Sequence, residues 1–269
     1  MSFVLSWFLV LATWGFASAQ DMHFTQFFSS PLYLNPAFAG AGVCSRISTT
    51  YRNQWAGLPG SYNSFLLSFD RYLHNYNSGI GAIIIKDRAG TMALGTNLLG
   101  LTYSFDYKLS LNWSAAIGIR FSYVYRTLDY DKLLFGDQLQ RNSSYSLQTT
   151  IPDKINFFDF TSGFIFFSSK TWFGFSLDHD TKPDESFLNK KAKLPFKGSI
   201  HGGRNIYIEK KGSGKSSLKP YFMVAANYRY QEEFDQLDLG VYFKQPRYFI
   251  GFWYRGIPVL KHYKQGYAN

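Results

Sequence analysis

A stretch of strict two-residue alternation, from Asn112 to Arg126, constrains the fold more than any other feature of the sequence. One set of alternate side chains is apolar or aromatic throughout, and the other set is small, polar or cationic. Successive side chains of a β-strand point to opposite sides of the sheet, so this period indicates a strand with two different faces. The stretch is far longer than the usual strand of about 5–6 residues. Such a length is typical of a tilted membrane crossing.

The same alternation recurs along the chain and predicts eleven strands. Tyr, Phe and Trp concentrate near the ends of these strands, as in the aromatic girdles of membrane barrels. The polar faces carry charges that would each cost about 2–4 kcal/mol if turned toward mid-bilayer lipid, so they are expected to line a lumen. The predicted strands span residues 43–52, 62–72, 78–86, 96–108, 112–126, 157–168, 171–179, 197–209, 219–231, 235–245 and 247–256.

The first 19 residues predict export. They contain no charged side chain, Phe3 to Phe16 forms an apolar core, and Ala17-Ser18-Ala19 has the small-x-small pattern of a cleavage site. The Lys or Arg that usually precedes such a core is missing, and an anchor helix is the alternative. The core is short for a span and is followed at once by Gln20-Asp21, which favours cleavage and export.

Export, strand length and aromatic strand ends together favour a membrane barrel over a soluble sandwich, which would alternate in the same way. The sequence therefore predicts an all-β protein, a transmembrane outer-membrane β-barrel of a Gram-negative bacterium. Residues 1–19 are interpreted as the signal peptide, 20–42 as an N-terminal segment that forms a plug or a periplasmic contact, and 43–269 as the barrel.

The connections between the predicted strands support this topology. With the chain entering from the periplasm, the two longest connections, 127–156 and 180–196, fall on the outer side, and four of the five inward turns are short. An odd count of eleven conflicts with the even strand number of bacterial single-chain barrels. We interpret the chain as lacking its last strands, with fourteen in a complete chain; a misread strand is the alternative.

Composition excludes several other classes of protein. Beyond residue 19 no apolar run reaches the roughly 18 residues of a spanning helix. The single cysteine, Cys44, excludes an intrachain disulfide framework and a Cys-based zinc cluster. Nucleic acid is not an expected partner of an exported barrel, despite the net charge of +10.

Candidate chemistry is sparse. No pair among the five histidines has metal-ligand spacing. Gly212 to Ser216 resembles the end of a phosphate loop but lacks the first glycine. Asp178-His179-Asp180 is the one acidic–histidine cluster, and an outer-membrane lipase would be the enzymatic alternative. We expect no enzyme activity, no cofactor and no metal.

Several motifs, in order and spacing, resemble the PorP/SprF family of the Bacteroidota. The motifs are Gln26-Phe27-Phe28, Asn35-Pro36-Ala37-Phe38-Ala39-Gly40, Tyr51-Arg52-Asn53-Gln54-Trp55, Gly79-Ile80-Gly81, Asp87-Arg88-Ala89-Gly90, His201-Gly202-Gly203 and Trp253-Tyr254-Arg255-Gly256. The resemblance implies an outer-membrane barrel of type IX secretion or gliding motility. It also implies partners: a secreted adhesin or other type IX cargo, periplasmic or lipoprotein secretion components, and outer-membrane lipid. The alternative function is a passive outer-membrane porin.

Five residues are candidates for partner binding. Asn35-Pro36 is a strong turn signal that predicts a plug or partner contact, with a simple turn into the first strand as the alternative. Arg52, Gln54 and Trp55 lie at the outer end of that strand, and Arg and Trp are enriched in interface hot spots. An aromatic girdle residue beside a lumen cation is the alternative here.

A basic run, comprising Lys190, Lys191, Lys193 and Lys197, falls in a predicted outward loop. Such a run suits lipopolysaccharide phosphates or an acidic partner. A solvated loop is the alternative.

Overall fold

Eleven β-strands make up nearly all of the regular structure. The computed structural model describes residues 22, 24, 27–42, 44–57, 60–90, 94–129, 136–142, 152–187, 192–208, 220–232, 234–245 and 247–257. The strands are β1 (Arg46–Gln54), β2 (Tyr62–Leu73), β3 (Ser78–Ala89), β4 (Leu94–Lys108), β5 (Trp113–Thr127), β6 (Lys154–Ser168), β7 (Thr171–Asp178), β8 (Lys197–Tyr207), β9 (Tyr221–Gln231), β10 (Phe234–Lys244) and β11 (Phe249–Ile257).

Within the described residues, helical structure consists of short segments. Two α-helices, α1 (Pro31–Leu34) and α2 (Gly136–Arg141), accompany 3₁₀ turns at Phe27–Ser29, Pro36–Phe38 and His74–Tyr76. Pro31 and Pro36 each stand at the start of a helical turn, where the missing N–H costs no hydrogen bond. No helix in the described part of the chain has the length and apolar character of a membrane span.

All eleven strands form one antiparallel sheet in which each strand pairs with its neighbours in the sequence. The register matches the alternation, since apolar Leu101 lies opposite Phe121 and polar Thr102 lies opposite Arg120. The predictions of an all-β chain and of eleven strands are therefore confirmed. Among the described residues, β1 and β11 stand at the two ends of the strand order and do not pair with each other.

The two faces of the sheet differ as the alternation predicted. Along the middle of β4 and β5 the exposed residues are apolar or aromatic, for example Leu101 at 62% exposure, whereas Arg120 on the other face is 5% exposed. The exposed large apolar and aromatic residues of these strands are Leu99, Leu101, Tyr103, Phe105, Tyr107, Ile117, Ile119, Phe121 and Tyr123. Burying an apolar side chain is favourable and burying a lone charge is not, so an apolar exterior with a polar interior suits a wall set in lipid.

The sheet curls around residues 22, 24 and 27–42, which we call the N-terminal segment. This short segment contacts inward side chains or carbonyls from nearly every strand, and only a sheet that wraps around it allows this. The contacted residues are Thr50, Asp70, Ile83, Ser104, Arg120, Phe164, Ser176, His201, Ala225 and Trp253. The predicted barrel lumen is therefore the place where the buried core lies.

The two ends of the curled sheet carry different connections. The loop end joins β1 to β2, β3 to β4, β5 to β6, β7 to β8 and β9 to β10, and it includes the long connections at 128–153 and 179–196. The turn end carries the remaining connections, and the N-terminal segment enters β1 from there. This asymmetry is the one expected from the sequence.

Some boundaries differ from the prediction. β1 begins at Arg46 rather than at 43 and continues through Gln54, so Gln54 lies in a strand and not in a loop. β6 begins at Lys154 rather than at 157, because β5 extends to Thr127 and pairs with it. The signal peptide at 1–19, Gly212 to Ser216 and the tail from 258 lie outside the described residues. The fourteen-strand count stays a prediction.

Candidate functional site in the lumen and at the mouth

Asn35 fastens the N-terminal segment to the wall. Its side chain is fully buried, and Nδ2 donates to the carbonyl oxygens of Phe164 at 3.1 Å and Phe175 at 2.9 Å. These two residues lie opposite each other on β6 and β7. Asn35 Oδ1 accepts the backbone N–H of Ala37 at 2.8 Å and so caps the 3₁₀ turn that begins at Pro36. One side chain therefore sets both the local turn and its position on the wall.

Glycines on the wall make this close approach possible. A Cβ on Gly163 would lie 2.1 Å from Asn35 Oδ1, and a Cβ on Gly118 would lie 2.3 Å from the backbone N of Ala37. Real side chains do not tolerate such distances, so only glycine fits where the backbone of the segment meets the sheet. The inner surface of the wall is thus shaped to match the segment.

A buried ion cluster joins the wall to the segment. Arg120 Nη2 lies 3.0 Å from Asp178 Oδ1, and Lys197 Nζ lies 3.2 Å from Asp178 Oδ2. Thr161 Oγ1 donates to Asp178 and accepts from Arg120, while Arg120 Nη1 donates to the carbonyl oxygen of Leu32. Buried charges are tolerated only when paired and hydrogen-bonded, and this cluster meets that condition across four strands.

Two further carboxylates, Asp70 and Asp238, form ion pairs with arginines in the lumen. Asp70 accepts from Arg46 Nε at 2.9 Å and from the backbone N–H of Gly40 at 3.0 Å. Asp238 accepts from Arg229 at 2.5 Å and from Gln236 at 2.6 Å. Arg255 lies beside Asp238 and also donates to the carbonyl oxygen of Phe24. The segment is thus held to charged side chains near both of its ends.

The other three predicted residues lie at the loop end of β1. Arg52 and Gln54 are half-buried, and Arg52 Nη2 donates to Gln54 Oε1 at 2.6 Å. Trp55 is 58% exposed, has a left-handed backbone with φ of 60°, and stands edge-on to Tyr62 at 5.3 Å between ring centroids. The left-handed backbone turns the chain at the point where the strand ends.

The structure therefore separates the five candidates into two groups. Asn35 and Pro36 are buried against β6, β7 and β5, whereas Arg52, Gln54 and Trp55 stand at the loop end of β1. Of the five, Trp55 is the most available to a partner in solution.

The whole chain was compared with known proteins. Residues 16–268 match the family described as type IX secretion system membrane protein PorP/SprF. The chain belongs to this PorP/SprF family. The resemblance found in the motifs is confirmed, and the role in type IX secretion follows from it. A search of the curated proteins found no match.

The lumen residues of this PorP/SprF protein extend beyond the five candidates. Arg120, Asp178, Lys197 and Asp238 hold its charged interior, and none of them is among the five partner-binding candidates. The signal for Arg120 was present, because it is a cation on the polar face of the clearest strand. Its partner lies 58 residues away, and alternation does not show which strands face each other.

One sequence hypothesis is corrected here. Lys197, which was grouped with the basic run of a predicted outward loop, begins β8, is 7% exposed and pairs with Asp178. Lys190 and Lys191 lie outside the described residues. In the cluster Asp178-His179-Asp180, the Asp178 carboxylate pairs with Arg120, and His179 Nδ1 lies 2.8 Å from Asp159 Oδ2. Burial raises the pKa of Asp180 in the loop after β7, and repulsion from the two other carboxylates adds to this. Within the described residues, no group of three or more His, Cys, Asp or Glu has the arrangement of a metal site.

Proposed function

We propose that this PorP/SprF protein is an outer-membrane barrel that holds a secreted surface adhesin, or helps to export it, during type IX secretion or gliding motility. It acts by binding and not by catalysis. The observation that supports the proposal is the contact of the N-terminal segment with inward-facing groups of ten of the eleven strands. A passive porin needs an open lumen, so a segment held inside the curled sheet favours a scaffold.

Apolar packing supports the role of the segment as a plug. Phe24 packs with Leu66, Ile83 and Ile85, and Phe27 packs with Leu34 and Ala225. Aromatic side chains in such clusters contribute strongly to stability. A segment held by apolar packing, by Asn35 and by buried ion pairs is proposed to remain in place in the resting barrel.

The loop end is the proposed outer side, where the adhesin binds. Long outer loops with short inner turns are the rule in outer-membrane barrels. Trp55 offers an exposed aromatic surface there, and Arg52 and Gln54 lie directly before it. Tryptophan and arginine dominate interface hot spots, so Trp55 and Arg52 are the proposed contacts.

The turn end and the start of the N-terminal segment are the proposed contacts for periplasmic or lipoprotein secretion components. Asn35 and Pro36 remain part of the proposed partner site in one specific sense. They are buried, so a partner reaches them only if the segment leaves the lumen. Release of the segment would then couple the binding of secretion components at the turn end to the binding of the adhesin at the loop end.

The test is affinity purification of the complete gene product from native outer membranes in mild detergent, followed by mass spectrometry. A large surface adhesin or secretion components at near-stoichiometric yield is the expected result. The same purified barrel is placed in planar bilayers, where we expect it to be closed. A barrel that purifies alone and conducts ions would contradict the proposal and indicate a porin.

A further inference from the structure

An apolar groove crosses the outer surface of β7 to β11, on the side of the wall that faces away from the N-terminal segment. Two adjacent rows of outward residues form it, and strand register places the members of each row side by side. One row runs through Thr171, Arg204, Val224, Val241 and Phe252, and the other through Phe173, Gly202, Ala226, Leu239 and Tyr254.

The groove exists because small residues meet at the middle of the second row. Gly202 and Ala226 lie next to each other, and the exposed rings of Phe173 and Tyr254 stand at the two ends of the row. The resulting cavity measures about 850 Å³. A volume of this size matches sites that take up small organic molecules.

The wall is closed behind the groove. On the lumen side, Trp172 packs edge-on to Phe38 at 5.6 Å, and Trp253 packs edge-on to Phe27 at 4.7 Å. The groove therefore opens only to the surroundings of the barrel. For the outward face of a membrane barrel, those surroundings are hydrocarbon.

A cation marks one end of the groove. Arg204 faces outward and is the one charged residue of its row, opposite Thr171, the first residue of β7. The short turn Ser169–Lys170 precedes Thr171 directly, so Arg204 lies at the level where this part of the wall leaves the membrane. A guanidinium at that level matches a phosphate, which it can bind through two parallel hydrogen bonds.

We propose that this groove is a binding site for one phospholipid, with its acyl chains in the groove and its phosphate on Arg204. Apolar lining with one cation at the membrane boundary fits a lipid better than it fits a soluble ligand. The site lies on the opposite face of the wall from the segment, so the proposal stands apart from adhesin binding. It rests on the membrane barrel, which family and fold support together.

The experiment is native mass spectrometry of the full-length barrel in detergent with added dioleoyl phosphatidylglycerol. We expect one lipid to remain bound under activation that strips the others. Ala226→Leu fills the groove and is expected to lower the retained fraction, because the acyl chains lose their space. Arg204→Gln removes the cation and is expected to lower the retained fraction about tenfold, as loss of one charge-assisted hydrogen bond would.

Matched controls lie on the same outward face away from the groove. Ala82→Leu enlarges an outward alanine of β3, and Lys86→Gln removes an outward cation of the same strand; both should retain the lipid. The proposal is overturned if all variants retain the lipid equally. It is also overturned if the spectra show a second copy of the chain bound at the groove instead of a lipid. Loss in Ala226→Leu with none in Arg204→Gln overturns the assignment of the phosphate. If Ala226→Leu does not fold, the proposal is tested by comparing lipid retention in Arg204→Gln with that in Lys86→Gln.

Discussion

The side-chain amide of Asn35 donates a hydrogen bond to the carbonyl oxygen of Phe175, a residue 140 positions further along the chain. It donates a second bond to Phe164 on the neighbouring strand. A buried turn residue is thus hydrogen-bonded to two paired strands of the wall. If the segment closes the lumen, substitution of Asn35 is the most direct test of how the segment is held there.

Asn35→Asp keeps the shape of the side chain but replaces both donors by a carboxylate oxygen. That oxygen would face two carbonyl oxygens in a buried site, and an unmade buried hydrogen bond costs about 1–3 kcal/mol. We expect the segment to detach and the barrel to conduct ions in planar bilayers, unlike the wild type. Asn53→Asp makes the same change at an exposed position of β1 and should stay closed. Equal conductance in both variants would show that Asn35 does not hold the lumen closed.

Gly163→Ala tests the same fastening from the wall. Its new Cβ would lie 2.1 Å from Asn35 Oδ1, so the segment has to move. We expect increased protease sensitivity of the N-terminal segment and a lower melting temperature. Gly198→Ala is the control, because its Cβ would meet Leu177 at an ordinary 3.8 Å. If both glycine variants behave as the wild type, the close approach of Asn35 to Gly163 is not needed to hold the segment in the lumen.

Asp178→Asn is expected to destabilise the barrel by about 3–5 kcal/mol, the usual cost of breaking a buried ion pair. The reason is that Arg120 and Lys197 would both lose their carboxylate in the lumen. The measurement is urea unfolding in liposomes, followed by the shift in gel mobility between folded and unfolded barrel. Asp153→Asn affects an exposed pair with Lys154 and should change stability by no more than about 1 kcal/mol. Similar midpoints for the two variants would contradict a structural role for the cluster.

Trp55→Ala is expected to reduce the yield of co-purified adhesin by about thirtyfold, which corresponds to loss of a hot spot of 2 kcal/mol. The barrel should fold normally, because Trp55 is largely exposed and contacts mainly Tyr62. Tyr76→Ala removes an exposed aromatic residue from the turn end and should leave the yield unchanged. An equal loss of adhesin yield in both variants would indicate that the adhesin does not bind at the loop end.

Leu101→Arg is expected to impair assembly into lipid vesicles. Leu101 is 62% exposed near the middle of β4, and an arginine facing mid-bilayer lipid costs about 2–4 kcal/mol. Leu111→Arg places the same residue in the turn after β4, where water is accessible, and should assemble normally. Normal assembly of Leu101→Arg would mean that this face of the sheet does not meet lipid.

The alternation between Asn112 and Arg126 determined the strand, its two faces and the location of Arg120 on the polar face. It did so because strand geometry is local: every second side chain points the same way whatever the rest of the chain does. For the same reason the eleven strands and their apolar faces were predictable. The motifs from Asn35-Pro36 to Trp253 were enough to identify the PorP/SprF family.

Only the tertiary structure decided what the polar face contacts. Asn35 meets Phe175, and Arg120 meets Asp178, across separations that the period of a strand does not encode. The curl of the sheet sets these distances, and it depends on all eleven strands and on the segment that they surround. Trp55 and Asn35 were both partner-binding candidates in the sequence, and the curled sheet left Trp55 exposed at the loop end of β1 and buried Asn35 inside.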